Sequence, residues 1–591
     1  MCKGLYHTIV IGSGSAGFGA ADWLHDLGVK DVAIITEGVN MGTSRNTGSD
    51  KQTYYKLTLA GAEPDSIQEM ASTLFDGGSM HGDTAYVQAA CSVKAFMKLV
   101  CLGLPFPTNR YGAYVGYKTD HDPRQRATSC GPLTSKYMTE ALEKEVKHKG
   151  IPVLDGYQVV KLLTKDNRIQ GLAAVDSNGA YHVFGARNIV LATGGPAGIY
   201  ANTVYPVSQT GGSGLAFEAG ATGCNLQEWQ YGLASIDFRW NVSGTYQQVL
   251  PRYISIGPEG DEREFLLDYF KDSAEALDMV FLKGYQWPFD VRKTGGSSRI
   301  DLIVAQENEK GRSVYMDFRQ NPSGLDFAKL SKETFDYLEK SGALFGTPIE
   351  RLAKMNPKAI KLYRDNGIDL YSEPLKVALC AQHCNGGVAV DANWESRVIG
   401  LYAVGEAAGT FGVYRPGGSA LNDTQVGAMR AAEHIASRGD KSPAPMPTDF
   451  KPVEFKRSKS SNWQKKQEDI QKRMSLHAAC FRNLGEMLKL YDELCLLKES
   501  FHNEVTIAGD KDLPALYKFR DGLETQIHVL SAMILSANKI GSRGSAVVMD
   551  AEQAGNKFDK YVVITDRDGS RMEEVRPLPI CDDWFESVWN K

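Results

Sequence analysis

Apolar and polar positions follow three rhythms along this chain. At the start, residues 8–11 form an unbroken β-branched apolar run. After a glycine-rich break, Phe18, Ala21, Trp23, Leu24 and Leu27 recur at helical spacing until Gly28 stops them, and a second apolar run occupies residues 32–35. Short continuous apolar runs read as buried strands, and a 3.6-residue period between them reads as a helix laid on those strands. Helical spacing returns over residues 64–104 and 131–149. From Gly156 the period drops to two, with Asn178-Gly179 marking a hairpin turn, and residues 188–192 read as one more buried strand. Residues 225–375 change character: aromatics are dense (Trp229, Tyr231, Phe238, Trp240, Tyr246, Tyr253) and charged helical segments follow. After a Pro-rich, charged stretch near 438–452, residues 453–540 are strongly helical, and a short strand-like tail closes the chain. No internal repeat is present.

The break after the first run reads Gly12-Ser13-Gly14-Ser15-Ala16-Gly17, and Glu37 stands twenty residues after Gly17. Strand, glycine-rich turn, helix, strand and acid in this order describe a dinucleotide fold. Gly12 permits the tight turn, Gly14 lets backbone N–H groups approach a pyrophosphate, and Gly17 lets helix and strand pack closely. The helix start turns its partial positive charge to the phosphates. Glu37 can accept hydrogen bonds from ribose hydroxyls. The polar loop that follows carries Gly38, Thr43, Ser44, Thr47 and Gly48, which can lay backbone N–H groups along a flavin. Ala192, Thr193 and Gly194 end the strand at residues 188–192 and, with Val159, complete the contacts expected for the dinucleotide. This second element shifts the reading from NAD toward FAD.

Composition narrows the picture by exclusion. Over 591 residues, 42% are hydrophobic and 23% charged, and the net charge of −5 gives no pull toward nucleic acid. The ten cysteines are scattered without a CxxC pair, so no zinc, c-type haem or iron–sulfur site is expected. The first strand begins without a leader, and no apolar run is long enough to span a membrane, which makes a cytoplasmic location the expectation.

Later in the chain, Gly405-Glu406 follows a strand pattern, and Arg415-Pro-Gly417-Gly418-Ser419-Ala-Leu421 opens a helix. With GSGSAG, ATGG, GLYAVGEAAG and RPGGSALN in this order, the chain resembles the succinate dehydrogenase/fumarate reductase flavoprotein family, over most of its length. The resemblance implies an α/β fold: a Rossmann-like FAD-binding domain (1–238 and 376–437), an inserted α+β capping domain (239–375), a linker (438–452) and a mainly helical C-terminal domain (453–591). It implies FAD contacts from Gly405, Glu406, Gly418, Ser419 and Leu421, and hydride transfer between flavin and a carbon next to a carboxylate. Arg415 then stands where the family holds a substrate carboxylate, Arg299 where it keeps its proton-donating arginine, and His383, in Gln382-His383-Cys384-Asn385-Gly386-Gly387, near its substrate-binding histidine.

Three departures refine this. Trp229-Gln230-Tyr231-Gly232 replaces the family's Phe-His-Pro segment, and its Thr-Glu-x-x-Arg-Gly has no clear counterpart. The loop that carries a flavin-linking histidine in membrane-bound members reads Gly42-Thr-Ser-Arg-Asn-Thr-Gly48, so FAD is expected to be non-covalent. The expectation is therefore an FAD-dependent oxidoreductase for a small unsaturated carboxylic acid other than fumarate, exchanging electrons with a donor or acceptor protein the sequence does not identify. An oxidase resembling L-aspartate oxidase, a ketosteroid dehydrogenase-like enzyme and a flavin subunit of an electron-transfer complex remain the alternatives. No metal is expected.

Overall fold

The computed structural model describes residues 2–50, 52–61, 63–439, 444–447 and 450–580. The expected linker at 438–452 lies partly outside them. The first apolar runs build a seven-stranded sheet in which Val153–Leu154, Val32–Ile35, Cys2–Ile11, Tyr181–Leu191 and Leu401–Ala403 run parallel. Strands buried on both faces need apolar residues at every position, and Ile9, Val10, Ile34, Ile35, Ile189, Val190, Leu191 and Leu401 are all buried. The period-two segment adds Arg168–Asp176 and Tyr157–Lys165 as an antiparallel meander. Its first turn places Asp166 and Asn167 both at positive φ, the geometry of a two-residue hairpin, and Gly179 supplies φ +84° in the next.

Helices Ser15–Asp26 and Ser419–Ser437 pack together over this sheet. Phe18 and Leu24 of the first and Val426, Met429 and Ile435 of the second are buried; each such side chain contributes roughly 1.5–3 kcal/mol. Gly19 allows the close approach, since a Cβ there would lie 3.1 Å from Gln425 Oε1.

The aromatic-rich segment forms a second, antiparallel sheet of six strands, ordered Trp240–Asn241, Trp229–Ser235, Leu375–Cys384, Ser313–Asp317, Arg252–Ile256 and Glu262–Glu264. Its own core gathers Leu233, Trp240, Tyr246, Tyr253, Phe265, Ile300, Met316 and Tyr363. The strand pair Trp229–Ser235 and Leu375–Cys384 is shared: Trp229, Tyr231, Ala381 and Cys384 belong to the core of the first sheet, and Leu233, Leu375 and Val377 to that of the second. The strands of the inserted unit therefore begin and end outside 239–375, because both chain crossings are made by paired strands and not by loops.

Helices Trp463–His477, Leu484–Glu504 and Leu513–Lys539 follow. Leu516, Phe519, Val529 and Leu530 of the last are buried in the same core as the first sheet. The tail is a hairpin, Tyr561–Asp566 with Gly569–Glu574, and it extends a small sheet begun by Gly387–Val388 and Gly223–Cys224. Among the described residues, no helix is long and apolar enough to cross a membrane.

Candidate active site

A cavity of about 840 Å³ opens where the parallel strands end, between the first sheet and the inserted unit. Its nucleotide half is lined by Gly12, Gly14, Ser15, Ala16, Glu37, Gly38, Thr43, Ser44, Thr47, Gly48, Val159, Ala192, Thr193 and Gly194. Gly12 sits at φ +108°, and a Cβ there would come within 2.4 Å of the Ala192 carbonyl oxygen. Helix Ser15–Asp26 starts at Gly14 with no side-chain cap, and helix Ser419–Ser437 starts at Gly418, φ +91°, also uncapped. Two helix N-termini, each carrying a partial positive charge, thus lie at the cavity where Gly14–Ala16 and Gly418 line it; Ser15 N–H donates to Ser44 Oγ at 3.3 Å and Ser419 N–H to the Pro416 carbonyl at 3.2 Å. Thr43 Oγ1 and Thr193 Oγ1 are buried without a hydrogen-bond partner. Helix starts, unpaired hydroxyls and a glycine-walled groove at the carboxyl ends of parallel strands fit a dinucleotide. Glu37, on the same wall, is ion-paired to Lys518 of the long helix Leu513–Lys539.

The other half is built around Arg415. Its Nη2 donates to Gln230 Oε1 at 2.7 Å and its Nε to Asn385 Oδ1 at 3.3 Å. Both partners are neutral amides, so the guanidinium keeps a full charge for an anion; burial lowers its pKa to about 10 and leaves it cationic. Gln230 and His383 are opposite one another across the shared strand pair. The His383 ring approaches Asn385 Oδ1 at 3.1 Å through Nδ1, while Nε2 is buried without a partner. Burial and the Arg415 charge hold His383 far below the usual imidazole range, so it is neutral. Glu406 accepts from the Tyr205 hydroxyl and from Cys384 N–H at 2.8 Å, and burial raises its carboxyl to about 7. Opposite, Asp120 is pinned by Gly417 N–H donating to its carbonyl at 3.3 Å, and burial raises its carboxyl to about 6. His121 adopts φ +58° beside Tyr414, and burial with nearby Arg292 lowers it to about 4.

Of the residues singled out in the sequence, Gly405, Glu406, Gly418, Leu421, His383 and Arg415 join the nucleotide set on one cavity wall. Three do not. Gly17 is off the wall, and its role is packing: a Cβ there would lie 1.9 Å from the Gly12 carbonyl oxygen. Ser419 is buried at the first position of its helix. Arg299 is a correction. On helix Ser298–Glu309 it faces away from the cavity, its guanidinium bonded to the Tyr269 carbonyl and stacked 4.6 Å over the Phe270 ring. Helix phase explains this, since Ile300 and Val304 must face the core of the inserted unit and so turn Arg299 outward from the site. Gln230 is visible in the sequence as a departure from the family pattern. Asn385, Trp287, Asp120 and His121 carry no such signal; the last two lie in a loop without hydrophobic period.

Similarity to known proteins agrees with this geometry. The family pattern described as FAD binding domain matches residues 7–421. The chain belongs to this family. The flavoprotein is 28% identical to the L-aspartate oxidase of Agrobacterium fabrum over 446 residues, 74% of each chain. It is 26% identical to a fumarate reductase (CoM/CoB) subunit from Methanothermobacter marburgensis, over 72% of this chain and 71% of that one. Its fold is that of the E. coli quinol fumarate reductase FrdA, with a TM-score of 0.71 at 20% identity and 97% coverage of both chains. The protein is an FAD-dependent oxidoreductase with the α/β architecture of the succinate dehydrogenase/fumarate reductase flavoproteins.

Proposed function

We propose that this flavoprotein interconverts a small unsaturated carboxylic acid and its saturated counterpart, holding FAD non-covalently and working in the cytoplasm with a separate electron carrier. The observation that carries this reading is Arg415: a cavity-lining guanidinium held by two amide oxygens and, among the described residues, ion-paired to no carboxylate. Such a fork takes a substrate carboxylate with two charge-assisted hydrogen bonds. FAD, when bound, would exchange a hydride with the alkene carbon β to that carboxylate, so that negative charge develops on the α carbon next to the group Arg415 holds. Neutral His383 gives its Nδ1–H to Asn385 Oδ1 and presents Nε2 as an acceptor, which can take an N–H or O–H of the substrate and cannot donate to its carboxylate. The second carbon needs a proton. With Arg299 turned away, two cavity carboxyls stay partly protonated near neutral pH, Glu406 and Asp120; Glu406 is engaged by the Tyr205 hydroxyl and Cys384 N–H, and we assign the role to Asp120. The absence of histidine in the loop 42–48 supports non-covalent attachment.

The test is anaerobic. The bound flavin is reduced, unsaturated acids are added one at a time, and flavin reoxidation is followed. One acid is expected to reoxidise it rapidly, with Arg415→Ala slowing this at least a hundredfold and Asp120→Asn removing the decline in rate above about pH 6. Among the relatives are L-aspartate oxidases, which favours an oxidase as second reading. Inertness to every acid, with rapid reoxidation by oxygen, would decide for it.

A further inference from the structure

The cavity does not end at Arg415. Beyond Gln230 and His383 its wall continues through Gln382 and Trp287 to Tyr285, Gln248 and Tyr337, all from the inserted unit and its sheet. Gln382 Oε1 accepts the Trp287 indole N–H at 2.9 Å, which fixes the indole plane, and Gln382 Nε2 stays buried without a partner. Neither side chain can retreat: a Cβ at Gly232 would lie 2.6 Å from Gln382 Nε2 and 2.7 Å from the indole ring. At the far end Tyr337 donates to Gln248 Oε1 at 2.9 Å, and the Tyr285 hydroxyl is bound to Glu333. Asp50, also on the wall, is held by Thr245 Oγ1 at 2.6 Å and Asn356 Nδ2 at 2.5 Å.

This arm is selective by charge and by shape. Among the described residues the lysine and arginine of the cavity wall are Lys118 and Arg415, and neither belongs to the arm; Lys283, behind the wall, lies with Nζ 4.9 Å over the Trp287 ring and is neutralised by its ion pair with Asp301, leaving the other face of the indole for a ligand. A second carboxylate reaching into it would meet Asp50, a repulsion that discriminates against dicarboxylates. A flat ring would instead find a fixed indole and two phenol rings, and aromatic pairs prefer such offset or edge-to-face contacts. We propose that the arm receives an aryl group, so that the substrate is a 3-aryl-2-enoic acid with its carboxylate on Arg415 and its ring against Trp287. The proposal rests on the reading of Arg415 as carboxylate anchor.

Anaerobic calorimetric titration of the holoenzyme with its flavin reduced, using saturated acids, which cannot exchange a hydride with reduced flavin, tests it. 3-Phenylpropanoate is expected to bind at least tenfold more tightly than propanoate or succinate. Trp287→Ala should abolish that advantage while leaving propanoate binding within twofold of the parent. Tyr337→Ala, on helix Lys332–Lys340, should reduce the same advantage at least threefold, so the test survives a misfolded Trp287 variant. Succinate binding as tightly as 3-phenylpropanoate, or an advantage that persists in both variants, would overturn the arm. Failure of the underlying reading has its own signature: Arg415→Ala would then leave the affinity for all three acids unchanged.

Discussion

Gly12 and Gly14 stand two residues apart and carry different burdens. Gly12 holds φ +108° with the Ala192 carbonyl in the space a Cβ would need, whereas a Cβ at Gly14 would meet only Ser44 Oγ, at 3.3 Å. Gly12→Ala combines left-handed backbone strain of about 1–2 kcal/mol with a backbone collision. It is expected to destabilise the apoprotein by roughly 2–4 kcal/mol in denaturant titration. Gly14→Ala should leave the apoprotein within about 1 kcal/mol of the parent yet be purified with little flavin, because its side chain enters the groove. Equal stability losses in the two variants would refute this division. Such residues are legible in a sequence because their spacing between a strand and a helix announces the turn, although the atoms they approach, on Ala192 and Ser44, lie far along the chain. The partner of Glu37 is not: Lys518 reaches it from 481 residues away, and no spacing announces it. Arg299 shows the converse failure, where a motif match places a residue in a column but the phase of its helix turns it from the cavity.

At the scale of elements, the strands and helices followed their hydrophobic periods, and the seam between the units did not. Its clasp joins three distant segments. Val291 N–H donates to the Gly544 carbonyl at 2.9 Å, Ser545 Oγ to the Phe289 carbonyl at 2.6 Å, and Gly544 N–H to the Tyr414 hydroxyl at 3.2 Å. The Arg292 guanidinium lies 3.5 Å over the Tyr414 ring. Ser542-Arg543-Gly544 in the C-terminal part thus ties the inserted unit to the residue before Arg415. Tyr414→Phe removes a hydrogen bond worth about 1 kcal/mol, and Tyr414→Ala also removes a cation–π contact of about 0.5–2 kcal/mol. Limited proteolysis within residues 285–297 should accelerate in the order parent, Phe, Ala, with the overall fold retained by circular dichroism. Equal cleavage rates would mean the clasp does not hold the inserted unit closed. Each of these segments reads as an ordinary loop by itself; only the tertiary arrangement gives them a common task.

Over the whole molecule, three carboxyls on different parts of the chain are held away from water, Asp423 fully and Glu406 and Asp521 in part. Glu406 follows the last parallel strand, Asp423 lies on helix Ser419–Ser437, and Asp521 lies on the long C-terminal helix, where it accepts Leu215 N–H at 2.8 Å. Burial raises them to about 7, about 8 and about 7. Unfolded, they titrate near pH 4, so between there and the raised values the folded chain binds more protons than the unfolded one. Stability then falls as pH rises, by up to about 1.4 kcal/mol per pH unit for each group until its folded pKa is passed. His81 and His121, lowered to about 4, and His383, lowered further, oppose this only below about pH 6.5, where the unfolded imidazoles gain protons. Lys56, lowered to about 8, acts above that pH. In the window from 6.5 to 8 the carboxyls act alone among these groups. The apoprotein is therefore expected to lose roughly 2 kcal/mol there, read as a falling denaturant midpoint, and Asp423→Asn should flatten the part between pH 7 and 8. A midpoint that is constant or rises across the window would show that these carboxyls are ionised and compensated in the fold. In that case Glu406, 4.0 Å from His383 Nε2, would present a charge to the substrate half of the cavity and not a neutral acid.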